Sequence, residues 1–168
     1  MNFRPLKENE IDVRVGQIYA GRGVSFLLYK NARTDANILD ETVGAENWQC
    51  RFYEVKENLY CSVGIKCGDE WVWKDDCGSE SFMEKEKGEA SDAFKRACFK
   101  WGVGRELYTS PLIYVKASDL KKLAENSKGK LECKDRLRVK HIKTVDGKIE
   151  QLIIYNSTTK EDVLEYGV

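Results

Sequence analysis

Three cations, Lys95, Arg96 and Lys100, lie close together in the segment Glu84 to Tyr108, EKEKGEASDAFKRACFKWGVGRELY. Apolar residues recur there at Met83, Ala90, Phe94, Ala97, Trp101 and Tyr108, with spacings of seven, four, three, four and seven. That period predicts one amphipathic helix over Glu84 to Tyr108, laid on a core with its cations turned outward. Glu84, Glu86, Glu89 and Asp92 gather in its first half, which complements the helix dipole. Cations on a rigid helix, with no nucleophile, base or metal ligand beside them, suit phosphate binding better than covalent chemistry. A solvated basic face is the plainer reading of the same pattern.

Other chemistries find little support. No G-x-x-x-x-G-K-[ST] loop and no G-x-S-x-G elbow occur, and His141 is the single histidine. Gly21-Arg22-Gly23 is too short and wrongly placed for a dinucleotide fingerprint. The six cysteines, at 50, 61, 67, 77, 98 and 133, form no C-x-x-C pair, so free and mostly buried thiols are expected and no metal or other cofactor. Asp69, Glu70, Asp75 and Asp76 leave a metal-dependent nuclease open as an alternative, against the plain reading that turns near hairpins are acidic for solvation.

The elements that must position these residues follow from patterning. With 168 residues, 42% of them apolar, the chain is long enough for one ordinary domain with a real core. Lys plus Arg equals Asp plus Glu at 28 each, so a basic surface can arise only by segregation of charge. The N-terminus MNFRPLKENEID is polar, and no apolar run approaches membrane-spanning length, which predicts a soluble, cytoplasmic chain. Residues 1–12 read as a loose arm. Val13 to Tyr29 reads as two short apolar segments broken at Gly21-Arg22-Gly23, and Thr34 to Val43 as a helix capped by Thr34 or Asp35 and ended by Gly44.

Trp48 to Val55 alternates, with Trp48, Cys50 and Phe52 on one face and Arg51 and Tyr53 on the other. Leu59 to Lys66 returns as its partner, and Gly68-Asp69 turns the chain into Glu70 to Lys74. Three antiparallel strands followed by a helix on one sheet face is the α+β arrangement these lengths predict. Beyond it, Leu112 to Val115 reads as a strand and Ser118 to Asn126 as a short helix. Leu137 to Thr144 and Lys148 to Tyr155 read as a hairpin around Asp146-Gly147, with Arg138, Lys140 and Lys143 outward.

YKNARTDANILDETVGAENW (Tyr29 to Trp48), LYCSVGIK and KGEASDAFKRACFKWGVGRELY together resemble the single-strand annealing proteins of the Rad-fifty-two/Rad-twenty-two superfamily, especially its short phage and prophage members of the Sak type. The likeness runs over roughly Val13 to Tyr114, with Ser91, Asp92, Lys95, Arg96, Ala97 and Gly102 in the signature places of the helix. It implies a single-strand annealing core at 13–114 behind the arm at 1–12, with an appendix at 115–168. It also implies edge-to-edge assembly into a ring or short filament, and ATP-independent annealing of complementary single-stranded DNA in homologous recombination and repair. A bacterial host cytoplasm and a single-strand-binding protein as a further partner fit the same expectation.

The resemblance implies that Lys95 and Arg96 correspond to helix residues that grip the DNA backbone. A further family arginine falls at Phe99, with Lys100 next to it. Another falls near Tyr19, where this chain offers Arg14 and Arg22. Arg51, Lys66 and Lys74 are strand cations that can extend the groove, and Tyr53 and Tyr60 either stack on bases or fill the sheet face. Trp48, Trp71, Trp73 and Trp101 read as core or subunit-interface residues. No catalytic residue is expected. The alternatives are a nuclease built on Asp69, Glu70 and Asp75, or a double-stranded RNA-binding module, which also places strands before a basic helix.

Overall fold

Alternating apolar residues, interrupted by turns such as Gly68-Asp69 and Asp146-Gly147, make strands the commonest regular element of this chain. The computed structural model describes residues 1–79 and 85–168. In order these form Asp12–Tyr19 (β1), Gly23–Tyr29 (β2), Ala32–Val43 (α1), Trp48–Val55 (β3), Asn58–Cys67 (β4), Glu70–Cys77 (β5) and Lys85–Trp101 (α2). Ile113–Lys116 (β6), Leu123–Glu125 (β7), Leu131–Cys133 (β8), Leu137–Val145 (β9), Lys148–Asn156 (β10) and Glu161–Tyr166 (β11) follow.

The expected fold class, a three-stranded sheet followed by one long helix with a hairpin appendix, is overturned. Among the described residues the chain is mostly β, with eleven strands, and its largest sheet has six of them. Residues 1–5 with 30–104 form one compact unit, and residues 6–29 with 105–168 form a second.

In the second unit the strand order is β11-β10-β9-β1-β2-β6, and the end strands β11 and β6 approach each other, so the sheet nearly closes. Its inner face is apolar: Val24, Phe26, Ile113, Val115, Leu152 and Ile154 are all buried. Each such side chain contributes roughly 1.5–3 kcal/mol relative to exposure. Pairing of β9 with β1 at Arg138↔Asp12 joins strands far apart in sequence, which local alternation does not report.

The expected loose arm is folded where it enters this unit. Leu6 and Ile11 are buried, and the Leu6 amide donates to the buried Glu106 carboxylate at 2.7 Å. The expected helix at 118–126 is replaced by a single 3₁₀ turn (Ala117–Asp119) and β7. Asp135 accepts the Lys121 and Lys122 amides at 3.2 and 2.7 Å, so those donors are taken by a carboxylate instead of a helix ladder.

In the first unit β3-β4-β5 is an antiparallel sheet with β4 central, paired Trp48↔Ile65 through Val55↔Asn58 and Tyr60↔Cys77 through Cys67↔Glu70. The α2 helix lies on one face and buries Ala93, Phe94, Ala97 and Cys98. The helix stops at Trp101, short of the expected Tyr108, because Gly102 (φ 111°) and Gly104 (φ 68°) adopt the left-handed region and a 3₁₀ turn (Arg105–Thr109) follows. A side chain at 104 would also overlap that of Lys30.

The expected helix start at Glu84 and the apolar position Met83 lie outside the described residues. The α1 helix begins two residues before its expected start, capped by Asn31, whose Oδ1 accepts the Thr34 amide at 3.1 Å, while Asp35 is buried against Lys30. All six cysteines are free, but Cys50 and Cys67 are exposed, and only Cys61 and Cys98 are fully buried. No helix among the described residues is long and apolar enough to cross a membrane.

Candidate nucleic-acid interface

Side chains alternate across a strand, so the register of β3-β4-β5 sorts the candidate residues onto two faces. Trp48, Cys61, Val63, Ile65, Lys74 and Asp76 face α2. Trp48 meets Phe94 at 5.9 Å between ring centroids, and Trp101 Nε1 donates to the Val63 carbonyl at 2.9 Å. Arg51, Tyr53, Tyr60, Ser62, Lys66, Trp71, Trp73 and Asp75 fall on the opposite face.

On the helix side, cations from α2 and β5 converge, but on protein partners. Arg96 Nε stands 3.4 Å from Asp76 Oδ1, and Lys100 Nζ 3.6 Å from Asp76 Oδ2. Lys100 Nζ also donates to the Asp75 carbonyl at 2.5 Å. Lys74, expected to extend a groove, donates to the Lys100 carbonyl at 3.0 Å and lies 4.5 Å from the centre of the Trp101 ring. Lys95 is half-buried on α2. One carboxylate thus serves both Arg96 and Lys100, which reduces the net positive field they present.

The opposite face has a different composition. The Arg51 guanidinium lies 4.1 Å over the Trp73 ring. That ring rests on the backbone of Gly64, where a β-carbon would come 2.7 Å from Trp73 Cε3. Gly64 therefore lets a tryptophan lie flat across the central strand, a reason for glycine inside a strand that packing alone does not supply. Trp71 continues the aromatic surface at 6.2 Å from Trp73, and Tyr53 and Tyr60 stack at 5.6 Å with planes 19° apart. Trp71 and Tyr53 remain 37% and 39% exposed, and exposed Lys66 lies opposite Trp71.

Asp75 sits on this face, fixed by hydrogen bonds from Ser62 Oγ and, at 3.0 Å, from Tyr53 Oη. Partial burial and the bond to Asp75 push the Tyr53 phenol above its ordinary range, so it stays a donor through neutral and mildly alkaline pH.

Arg51, Tyr53 and Lys66 thus share one face, with Lys66 at the far end from Tyr53, and Arg96, Lys100 and Lys74 converge on the other side of the same sheet. Arg14 and Arg22 belong to the six-stranded unit. Arg14 lies 4.8 Å over the Tyr29 ring, and exposed Arg22 occupies the turn between β1 and β2. From sequence alone, Trp71 and Trp73 read as core or subunit-interface residues and Asp75 enters only the nuclease alternative, with no role for Gly64 on this face. The available signal was register: with β4 and β5 paired through Gly68-Asp69, Gly64 falls opposite Trp73.

The carboxylates of the nuclease alternative are not gathered. Asp69 and Glu70 lie at the β4–β5 turn, and Asp75 is five residues further along β5, roughly 17 Å away at strand rise. Among the described residues no group of three or more His, Cys, Asp or Glu is arranged to hold a metal ion. Compared with protein-family models, with curated proteins and with solved structures, the chain finds no match.

Proposed function

We propose that this chain binds single-stranded DNA and anneals complementary strands without nucleotide or metal. What supports the binding is the sheet face of the first unit, where Arg51 on Trp73, Trp71 and the Tyr53–Tyr60 pair expose aromatic surface flanked by Lys66. Aromatic faces accept bases of any kind at about 1–3 kcal/mol each, and cations beside them track the phosphates. Stacking of this sort needs unpaired bases, so it selects single strands over duplex. Annealing rests on the resemblance drawn from Tyr29–Trp48 and the α2 motif, and it asks for no bond-making step.

β3 and β5 are the free edges of the three-stranded sheet, and pairing of one copy's β3 with another's β5 would give the ring or short filament that the resemblance implies. The double-stranded RNA-binding alternative uses the cations of α2, and the same experiment separates it.

The test measures affinity for a mixed-sequence single-stranded oligonucleotide, its DNA duplex and an RNA duplex, and then strand annealing in EDTA. Single-strand preference, annealing in EDTA and a mass well above the monomer by light scattering are expected. Preference for either duplex would overturn the single-strand assignment. Annealing that needs magnesium would overturn the metal-free mechanism, and a monomeric mass with DNA bound would remove the ring.

A further inference from the structure

Asp75 stands on the edge strand β5 of the face just assigned to single-stranded DNA, in register with Ser62 of the central strand, and there a carboxylate repels phosphate. Bases, not backbone, must therefore pass over it. An ionised carboxylate offers about four lone-pair sites. Ser62 Oγ occupies one on Oδ1 and Tyr53 Oη one on Oδ2, which leaves one acceptor position on each oxygen and fixes the plane of the group. Asp75 is exposed, and it is flanked along β5 by Trp73 and across the sheet by the Tyr53–Tyr60 stack. A base stacked on these rings can turn its pairing edge toward the two free positions.

We infer that Asp75 is a specificity-determining residue, accepting two parallel hydrogen bonds from the Watson–Crick edge of an unpaired guanine, a contact released before that base pairs with its complement. Guanine is the base that presents two adjacent donors, N1–H and the 2-amino group, at the spacing of the two carboxylate oxygens. Cytosine and adenine bring a single amino donor next to an acceptor nitrogen, and thymine brings one N–H between two carbonyls that the carboxylate repels. The order of preference is therefore guanine first, cytosine and adenine next, thymine last. This inference rests on the single-strand reading of the sheet face and replaces indifference to sequence with a graded preference.

The experiment compares oligo-dT with the same oligomer carrying isolated dG replacements, spaced to prevent quadruplex formation, by fluorescence anisotropy with the full chain. Tighter binding of the dG oligomer by roughly fivefold or more is expected. Replacing dG by deoxyinosine, which lacks the 2-amino group, should lose most of that gain, and 7-deazaguanine, which keeps the pairing edge, should retain it. Asp75→Asn keeps one acceptor oxygen, for either Ser62 or Tyr53, and puts an amide donor in place of the other oxygen, so it should abolish the dG preference while oligo-dT still binds. Equal affinity of the wild-type chain for dT and dG oligomers overturns the inference and leaves single-strand binding standing. So does a dG gain that survives deoxyinosine, or an Asp75→Asn effect equal on every sequence. Absence of binding to any oligonucleotide removes the single-strand reading and this inference with it.

Discussion

In the six-stranded unit Arg138 lies 4.7 Å over the Tyr155 ring and Lys140 pairs with Asp162 at 2.6 Å, while Asp12 sits directly opposite Arg138. In the three-stranded unit Arg51 lies 4.1 Å over Trp73, on a strand set whose other face is covered by α2. Both sheets thus place arginines on aromatic rings. They differ in what the inner face demands. A sheet that nearly closes on itself turns Val24, Phe26, Leu152 and Ile154 inward and spreads mixed charge outside. Among the described residues, the sheet with one helical layer has no helix or strand of its own unit packed on its second face, and that face carries tryptophan, tyrosine and cations. The first arrangement is a way to be stable; the second leaves surface for a ligand.

The largest effect expected from breaking this contrast is on stability, in the six-stranded unit. Asp135 accepts the Lys121 and Lys122 amides and the Asn156 side-chain amide at 2.9 Å, in a site only 9% exposed. Asp135→Ala strands those donors, and a loss of about 3 kcal/mol is expected from urea unfolding followed by far-UV circular dichroism. Burial raises the pKa of this carboxyl, but the bonds from Asn156, Lys122 and Lys121 outweigh it, so the pKa lies below the ordinary 3.8. A depressed folded value means the contribution is present above the unfolded value and disappears as pH falls through the folded one. Stability should therefore drop below about pH 4, and Asp135→Asn should flatten that acid limb. An unchanged limb in the Asp135→Asn variant would show that other carboxylates carry it.

The next effect is on binding, in the three-stranded unit. Trp73→Ala removes the ring that bridges Arg51 and Gly64, and a loss of about 1–3 kcal/mol in single-strand affinity is expected for each base stacked there. The paired control is Tyr155→Ala, which removes the ring under Arg138 in the six-stranded unit and should leave affinity unchanged. Equal losses in the two variants would mean that the open sheet face is not special and that both units contact DNA. Fluorescence anisotropy with one labelled oligonucleotide settles it, with circular dichroism confirming that each variant is folded.

How much of this was legible beforehand depends on whether the information was local. The strands at 48–55 and 58–67 and the Asp146-Gly147 hairpin lie where alternation and turn residues place them, because both signals act over a few residues. The strand β11, over EDVLEY, alternates too weakly to stand out, and it forms by adding to β10. The burial of Leu6 under Glu106 is a contact across a hundred residues that no local pattern encodes. The candidate site divides in the same way. Arg51, Tyr53 and Lys66 are readable as strand cations and an aromatic, whereas Trp73 reads as a core or subunit-interface residue because a tryptophan lying flat on glycine is visible only once the register is known. The cations of α2 were readable as cations, but not their shared partner Asp76.

That shared partner gives the smallest effect and the sharpest sign. Arg96 and Lys100 both lean on Asp76, and their side chains are 46% and 47% exposed, so each pair is worth only a fraction of a kilocalorie in stability. If these cations also help hold the backbone, DNA must compete with Asp76 for them. Asp76→Asn keeps the acceptor that receives the Cys77 amide at 2.8 Å and removes the competing charge. Single-strand affinity should then rise, by about 0.2–1 kcal/mol, and the dependence on salt should steepen as more of the cation charge becomes available to phosphates. Arg96→Ala with Lys100→Ala should lower affinity by no more than a similar amount in the wild-type background, and by more when combined with Asp76→Asn. If Asp76→Asn changes neither affinity nor salt slope, the helix side of the sheet takes no part, and the open face binds DNA alone.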